Sequence, residues 1–178
     1  MRGDRKFRFL DGDRDRLELL ADVRRVRHTL VTLAETVPAD RRYEPRYAGA
    51  TLAALLAQLH LSDQMTLAAI QLALLGTPPL RIQLLGPFNR LTAYLFKDRS
   101  VEGSIRAIQR HERRIADLIL RLPIDKFSKP VYDPAHDVTL TVEQTIQEGF
   151  LFHWQDTLVA MQRVQGIYYE PLERFDTI

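Results

Sequence analysis

Four long stretches of the chain carry apolar residues at the three- and four-residue steps of an α-helix, and this pattern constrains the fold most. Residues that recur in this way share one helix face, so each stretch predicts an amphipathic helix that must bury that face. The first stretch predicts a helix over about 14–36, which Pro38 ends. Its predicted buried face consists of Leu19, Val23, Val26, Leu30, Leu33 and Val37.

Each of the other three stretches begins at a residue that caps helix N-termini: Thr51, Ser100 and Thr141. A hydroxyl in this position accepts a hydrogen bond from an N–H group that the first helical turn leaves unpaired. The predicted helices cover about 51–75, 101–122 and 141–165. Each is followed by a helix-terminating residue: Gly76, Pro123 and Gly166.

The segments between the helices are rich in turn-forming residues. The connection over 77–100 contains three prolines and a glycine, and only one short helix is predicted there, over about 87–96. No useful length of strand-like alternation is present, so no sheet is predicted. The sequence therefore predicts an all-α, single-domain, up-down-down-up four-helix bundle over 1–178, with a long crossover between helices 2 and 3. Residues 1–13 are predicted to form an extended or loosely ordered lead-in and 167–178 a tail.

Composition excludes several classes of protein. The chain has no cysteine, which rules out disulfides and thiolate metal sites and fits a cytoplasmic protein. It has neither a long apolar run nor the apolar core of a signal peptide, so no membrane contact is expected. Arginine outnumbers lysine by 21 to 4, but the arginines alternate with acids and the net charge is only +2. Nucleic acid is therefore not expected as a partner.

The order of parts resembles a known family. The stretches that carry the resemblance are "VPADRRYEP", the Thr-capped "TLAALLAQL", "SVEGSIRAIQRHERRIADLILRLPIDKFSKPV" and "TLTVEQTIQEGFLFHWQDTLVAMQRV", with a proline-bearing crossover before the third. Together they resemble the DinB-like superfamily of YfiT-type four-helix bundles, over about 14–166. The resemblance implies a four-helix bundle, and members of this family are often linked to stress responses.

The resemblance also implies a pattern for a metal site. Many members bind a divalent metal through three histidines. One lies in helix 2, in a pattern like Ser/Thr-x-x-x-Leu-Leu-x-His-Leu, and two lie four residues apart in helix 4, often with a Gln three residues later. Residues at i and i+4 share a helix face, and a third imidazole from a facing helix leaves the site open to water or substrate. Metal-bearing members are similar to hydrolases and thiol transferases.

This sequence departs from that pattern. In the register set by Thr51, Gln58 takes the helix-2 ligand position, and His60 lies about 200° further round the helix, as a surface or helix-edge residue. In helix 4, Gly149 takes the first histidine position, His153 the second and Asp156 that of the trailing Gln. If the register instead begins at His153, Thr157 takes the second position and a ligand is again lost. The sequence therefore predicts a degenerate site in which His60 and His153 share no ion.

Polar residues on the predicted buried faces indicate where a ligand would bind. Glu112 falls in the apolar series of helix 3, either as a bundle-edge residue that pairs with an arginine such as Arg27 or Arg163, or as part of a polar pocket. His153 is predicted to face inward. The candidate pocket between helices 2, 3 and 4 consists of Gln58, Glu112, His153 and Asp156. The remaining histidines are not assigned to a site: His28 and His111 are predicted to be exposed, and His136 lies in the Pro-bearing loop "DPAHD".

Three functions remain open at this point. The first is a metal-free, DinB-like bundle that binds a small molecule, or no ligand, with no cofactor. The second is a hydrolase or thiol transferase that uses His153 and a divalent metal such as zinc or nickel. The third is an Arg-rich interaction protein with an acidic partner. A homodimer is also expected, because apolar residues cluster around the crossover and in the tail: Leu74, Leu84, Leu85, Phe88, Tyr94, Tyr168, Tyr169 and Phe175.

Overall fold

The computed structural model of the chain describes residues 5–76, 96, 99–133 and 137–167. Four long helices dominate this part of the chain. The first three are α1 (Asp13–Glu35), α2 (Leu52–Leu74) and α3 (Val101–Arg121). The fourth, over 142–165, is made of α5 (Val142–Gln147), a π-helical turn (Glu148–Phe152) and α6 (His153–Gln165). The short helix α4 (Ile124–Phe127) follows α3. The predicted helices and their ends are confirmed to within about one residue.

The predicted caps account for where these helices begin. The hydroxyl of Thr51 accepts a hydrogen bond from the Ala54 N–H at 3.1 Å, and Ser100 does the same for Gly103 at 3.1 Å. Thr141 forms a complete capping box with Gln144, in which each side chain binds the other residue's backbone N–H. Gly166 ends the last helix in the left-handed conformation, at φ 67°.

The second and third helices run in the same direction. The Arg42 carbonyl accepts a hydrogen bond from the Ala53 N–H at the start of α2, and its guanidinium forms an ion pair with Glu102 at the start of α3. At the other end, Lys129, which follows α3, donates to the Leu74 carbonyl at the end of α2. Parallel neighbours need a long connection, which explains the crossover that the sequence predicts. Helix α2 packs on α3 and on the fourth helix, and α1 packs on the same two helices. Consequently α1 and α2 lie diagonally across the bundle.

A small hairpin corrects the prediction that the chain has no sheet. Strand β1 (Pro130–Asp133) pairs antiparallel with β2 (Val138–Thr141), with Val131 opposite Leu140. Each strand has only four residues, which is too short for a period-two pattern to stand out in the sequence. The hairpin packs on α2 and leads directly into the Thr141 cap of the fourth helix.

Residues 5–12 of the lead-in form no helix or strand, but several contacts hold them against the bundle. The Gln147 side chain accepts from the Arg8 N–H at 2.8 Å and donates to the Arg8 carbonyl at 2.9 Å, and Leu10 is fully buried. The guanidinium of Arg16 donates to the carbonyls of Leu10 and Leu122. It therefore ties the lead-in to the end of α3, whose last carbonyls lack helical partners.

Several predictions fall outside the described residues. These are the short helix over 87–96 except Phe96, His136 of the loop, and most of the residues expected to form a dimer contact. None of the helices that the structure describes is long and apolar enough to cross a membrane.

Candidate functional site

A π-helical turn sets which side chains of the fourth helix reach the bundle centre. Such a turn closes i→i+5 hydrogen bonds and holds one residue more than an α-helical turn. After the buried Phe150, the next inward position is therefore Trp154 rather than His153. The prediction that His153 faces inward is wrong, because the residue is exposed. Protein atoms still crowd its ring, and this desolvation lowers the pKa of His153, against the opposite effects of Asp63, Asp156 and Glu148.

The same turn brings the fourth helix into close contact with α2 at Gly149. A Cβ atom on Gly149 would lie 2.6 Å from both Oγ1 and Cγ2 of Thr66. Thr66 is β-branched and has little freedom to move aside. The position that resembles the family's first helix-4 ligand therefore has no room for any side chain.

The centre of the bundle is occupied by a charged cluster that the sequence did not predict. Arg27 of α1 donates to both carboxylate oxygens of Asp63 of α2, at 3.2 and 2.6 Å, and the two residues are 1% and 0% exposed. The indole N–H of Trp154 donates to Asp63 Oδ1 at 3.0 Å. The Arg27 guanidinium also lies 3.9 Å from the centre of the Trp154 ring. This Arg27–Asp63–Trp154 cluster joins the two diagonal helices to the fourth.

The sequence places the two charges of this cluster on buried helix faces, although it does not show that they meet. Asp63 lies four residues after Leu59, and Arg27 lies four residues after Val23, so both fall on the buried faces of their helices. A single charge on a buried face is costly, but opposite charges on two such faces can pair. The arginine-rich composition hid Arg27, because neighbouring arginines on the same helix are exposed.

Two histidines meet beside this cluster. The rings of His60 on α2 and His111 on α3 lie 4.7 Å apart between centres, at 82° to each other. The prediction that His111 is exposed is wrong, since it is only 9% exposed, and its Nδ1 has no hydrogen-bond partner among the described residues. His60 is half-buried against α3. Desolvation lowers the pKa of both imidazoles, and the neighbouring His111 adds to this effect at His60.

The other predicted pocket residues do not gather around one cavity. Glu112 pairs with Arg24 at 3.1 Å, so it is a bundle-edge residue bound to an arginine, although not to either of the two arginines expected. Asp156 is exposed and forms an ion pair with Arg5 of the lead-in, which also pairs with Glu148. Gln58 is half-buried and has interactions of its own.

The arrangement offers little to a metal ion. Among the residues that the structure describes, no group of three or more His, Asp or Glu side chains is placed to hold one. His60 and His111 are the nearest pair of imidazoles, but Asp63 beside them is already bound by Arg27 and Trp154. Two protein ligands fall short of the three that open catalytic zinc sites use.

An open groove of about 640 Å³ runs between α2 and α3. Its apolar walls come from Leu67, Ala68, Leu118 and Leu122, and its polar groups from Gln64, Gln71, His111, Arg114, Asp117 and Arg121. None of the four predicted pocket residues lines it. Arg121 pairs with Asp117 at 3.1 Å, whereas Arg114 has no ion pair with any described residue.

A comparison with solved structures identifies a protein of similar fold. The chain is similar to YfiT from Bacillus subtilis, which is described as a probable metal-dependent hydrolase with an unusual four-helix bundle topology. The TM-score is 0.70 at 18% sequence identity, over 93% of this chain and 96% of that chain. No protein-family model and no curated protein sequence matches the chain. At this identity the likeness confirms the four-helix-bundle fold that the resemblance implied, and it does not extend to activity.

Proposed function

We propose that this chain is a ligand-binding four-helix bundle that holds a small molecule between α2 and α3 and uses no metal ion at the bundle centre. The observation that carries the metal-free part is the pairing of Asp63. This carboxylate lies close enough to His60, His111 and His153 to influence the pKa of each. Both of its oxygens nevertheless already accept hydrogen bonds, from Arg27 and Trp154.

The charge of Arg27 opposes a cation in this position. A divalent ion bound near Asp63 would lie beside a buried guanidinium, and like charges repel strongly where water is excluded. Moving Arg27 away would leave its charge without a partner in the core, at a cost of several kcal/mol per ion. The close contact of Gly149 with Thr66 removes a further ligand position. The residues present therefore do not fit the three-ligand site that the resemblance implies.

The groove between α2 and α3 supports the ligand-binding part. Small-molecule sites are concave, mostly apolar and supplied with a few polar groups, and volumes of about 300–1,000 Å³ are typical. The groove has this size and this composition. His111 contributes a buried polar side chain whose Nδ1 has no partner among the described residues.

Metal analysis of native protein tests the first part of the proposal. Untagged protein, purified without chelators, is expected to contain far less than one equivalent of zinc, nickel or manganese by mass spectrometry of the dissolved metal. The His153→Ala variant should give the same result. Close to one equivalent of metal in the native protein, lost on His153→Ala or His60→Ala, would contradict a metal-free centre.

Binding of an uncharged dye tests the second part. Nile red should bind the folded protein and fluoresce more strongly, and Ala68→Trp should abolish this because an indole would fill the groove. Ala68 is exposed, so the substitution leaves the core intact. Ala21→Trp, at an exposed alanine of α1, is the matched control and should leave binding unchanged. Equal binding by both variants would show that the groove is not the site.

The rival function is that of a metal-dependent hydrolase, which is the probable activity given for the YfiT structure. The observation in its favour is that three imidazoles lie near one buried carboxylate. The same metal analysis decides between the two functions, because only the rival requires a bound ion that survives purification.

A further inference from the structure

We infer that the ligand of the α2–α3 groove is a single-chain alkyl carboxylate of about dodecanoate length, whose carboxylate is bound by Arg114. This inference rests on the proposed function, since it names the class of molecule that the groove takes. Three features of the groove carry it: its charge, the proximity of His111 to Arg114 and its length.

The groove has one positive charge that no described residue neutralises. Of its three charged side chains, Arg121 and Asp117 neutralise each other as an i,i+4 pair. Arg114 forms no ion pair with any described residue, although acids elsewhere on the same helix bind arginines, as Glu112 binds Arg24. The lining therefore carries a net charge of one positive unit, which favours a singly charged anion over a neutral or cationic ligand.

Polar side chains line both ends of the groove, but Asp117 and Arg121, toward the end of α3, are paired with each other. His111 and Arg114 lie one helical turn apart on α3, and the His111 Nδ1 has no hydrogen-bond partner among the described residues. Burial lowers the pKa of His111, so the imidazole is neutral at pH 7 and can donate one N–H without adding charge. A carboxylate offers acceptors to both side chains, and a guanidinium binds a carboxylate in two-pronged fashion.

The apolar side chains beyond Arg114 offer a path for an alkyl chain. From the level of Arg114, Leu118 and Leu122 follow at four-residue steps along α3, with Leu67 and Ala68 opposite on α2. Leu122 lies eleven residues after His111, a distance of about 16 Å along the helix axis, which is roughly the length of an extended twelve-carbon acid. The groove is open along its side, so a single chain can enter without movement of the core.

Calorimetric titration with three twelve-carbon probes tests the inference. Dodecanoate, dodecan-1-ol and dodecyltrimethylammonium have the same chain and differ in the charge of the head. Dodecanoate should bind most tightly, and hexanoate, with the same head and half the chain, should bind more weakly. Arg114→Gln should weaken dodecanoate binding about fivefold and leave dodecan-1-ol unchanged. Arg113→Gln, at the adjacent exposed arginine outside the groove, is the matched control and should have no effect.

The outcomes separate the inference from the function on which it rests. One outcome is that dodecan-1-ol binds as tightly as dodecanoate and that Arg114→Gln changes the binding of neither probe. The inferred carboxylate ligand is then wrong, and the groove remains a ligand site if Ala68→Trp abolishes the binding of both probes. If dodecanoate binds equally well to Ala68→Trp, the ligand lies elsewhere and the inference fails. If none of the probes binds and Nile red is also rejected, the proposed function fails as well.

Discussion

Replacing Asp63 with Asn should destabilise the fold severely, because it leaves the charge of Arg27 in the core without a partner. The amide has nearly the same shape as the carboxylate, so packing changes little. It can still accept the indole N–H of Trp154, which now lies 3.0 Å from Asp63 Oδ1. What disappears is the charge that neutralises a guanidinium only 1% exposed to solvent.

The expected loss of stability follows from the burial of the Arg27 guanidinium. Removing one partner of a buried ion pair typically costs about 3–5 kcal/mol, since the other charge stays in the core uncompensated. For a domain of 178 residues this corresponds to a fall in Tm of about 6–20 °C. The contact between the guanidinium and the Trp154 ring persists and is too weak to offset the loss. Arg27→Met should also destabilise the fold, because it leaves the buried carboxylate of Asp63 without its counter-charge.

A double-mutant cycle tests the reasoning. Adding Arg27→Met to Asp63→Asn removes the unpaired charge and should restore about 2 kcal/mol, although Arg27→Met alone destabilises the native chain. Urea unfolding would be followed by circular dichroism and by the fluorescence of Trp154, which is the single tryptophan of the chain and lies in the cluster. The reasoning is refuted if the two substitutions are additive, or if Asp63→Asn costs less than about 1 kcal/mol.

Two further predictions concern the fourth helix and the histidines. Gly149→Ala should destabilise by about 1 kcal/mol net, because a clash with Thr66 of about 1–3 kcal/mol exceeds the gain in helix propensity. Thr66→Ala should partly rescue it in urea unfolding, and no rescue would show that the close contact is not the cause. Desolvation by the surrounding protein atoms lowers the pKa of His60, His111 and His153, so the folded chain binds fewer protons than the unfolded one. Their stabilisation is therefore complete above the unfolded pKa of about 6.5 and declines as the pH falls below it. The urea midpoint of the native chain should fall more between about pH 7.5 and 5.5 than that of His60→Gln/His111→Gln, and equal falls would contradict this.

The sequence could not predict which side chains of the fourth helix face inward. Counting α-helical steps from Val142 leads through Phe150 to His153, and the structure places Trp154 there instead. The π-helical turn that shifts the pattern contains Gly149, which packs closely against Thr66, 83 residues away in the chain. A glycine in a helical pattern is compatible with many explanations until the residue that faces it is known.

The positions of the histidines show the same limit. His111 lies in the charged stretch "RHERR", which predicts exposure. It is buried because α2 runs parallel to α3 and places the His60 ring directly against the His111 ring. Likewise, the charge on Glu112 predicted either an edge position or a pocket, and only the location of Arg24 decided for the edge.

Local sequence signals were sufficient to predict the helices, their ends and the four-helix bundle. These follow from apolar periodicity, from the capping residues Thr51, Ser100 and Thr141, and from Pro and Gly between the helices, all of which act within a few residues along the chain. The tertiary structure alone decided the content of the bundle centre. Whether Arg27, Asp63 and Trp154 form one cluster depends on the rotation and relative height of three helices far apart in sequence. Local interactions fix neither quantity, because both are set by how the buried faces pack.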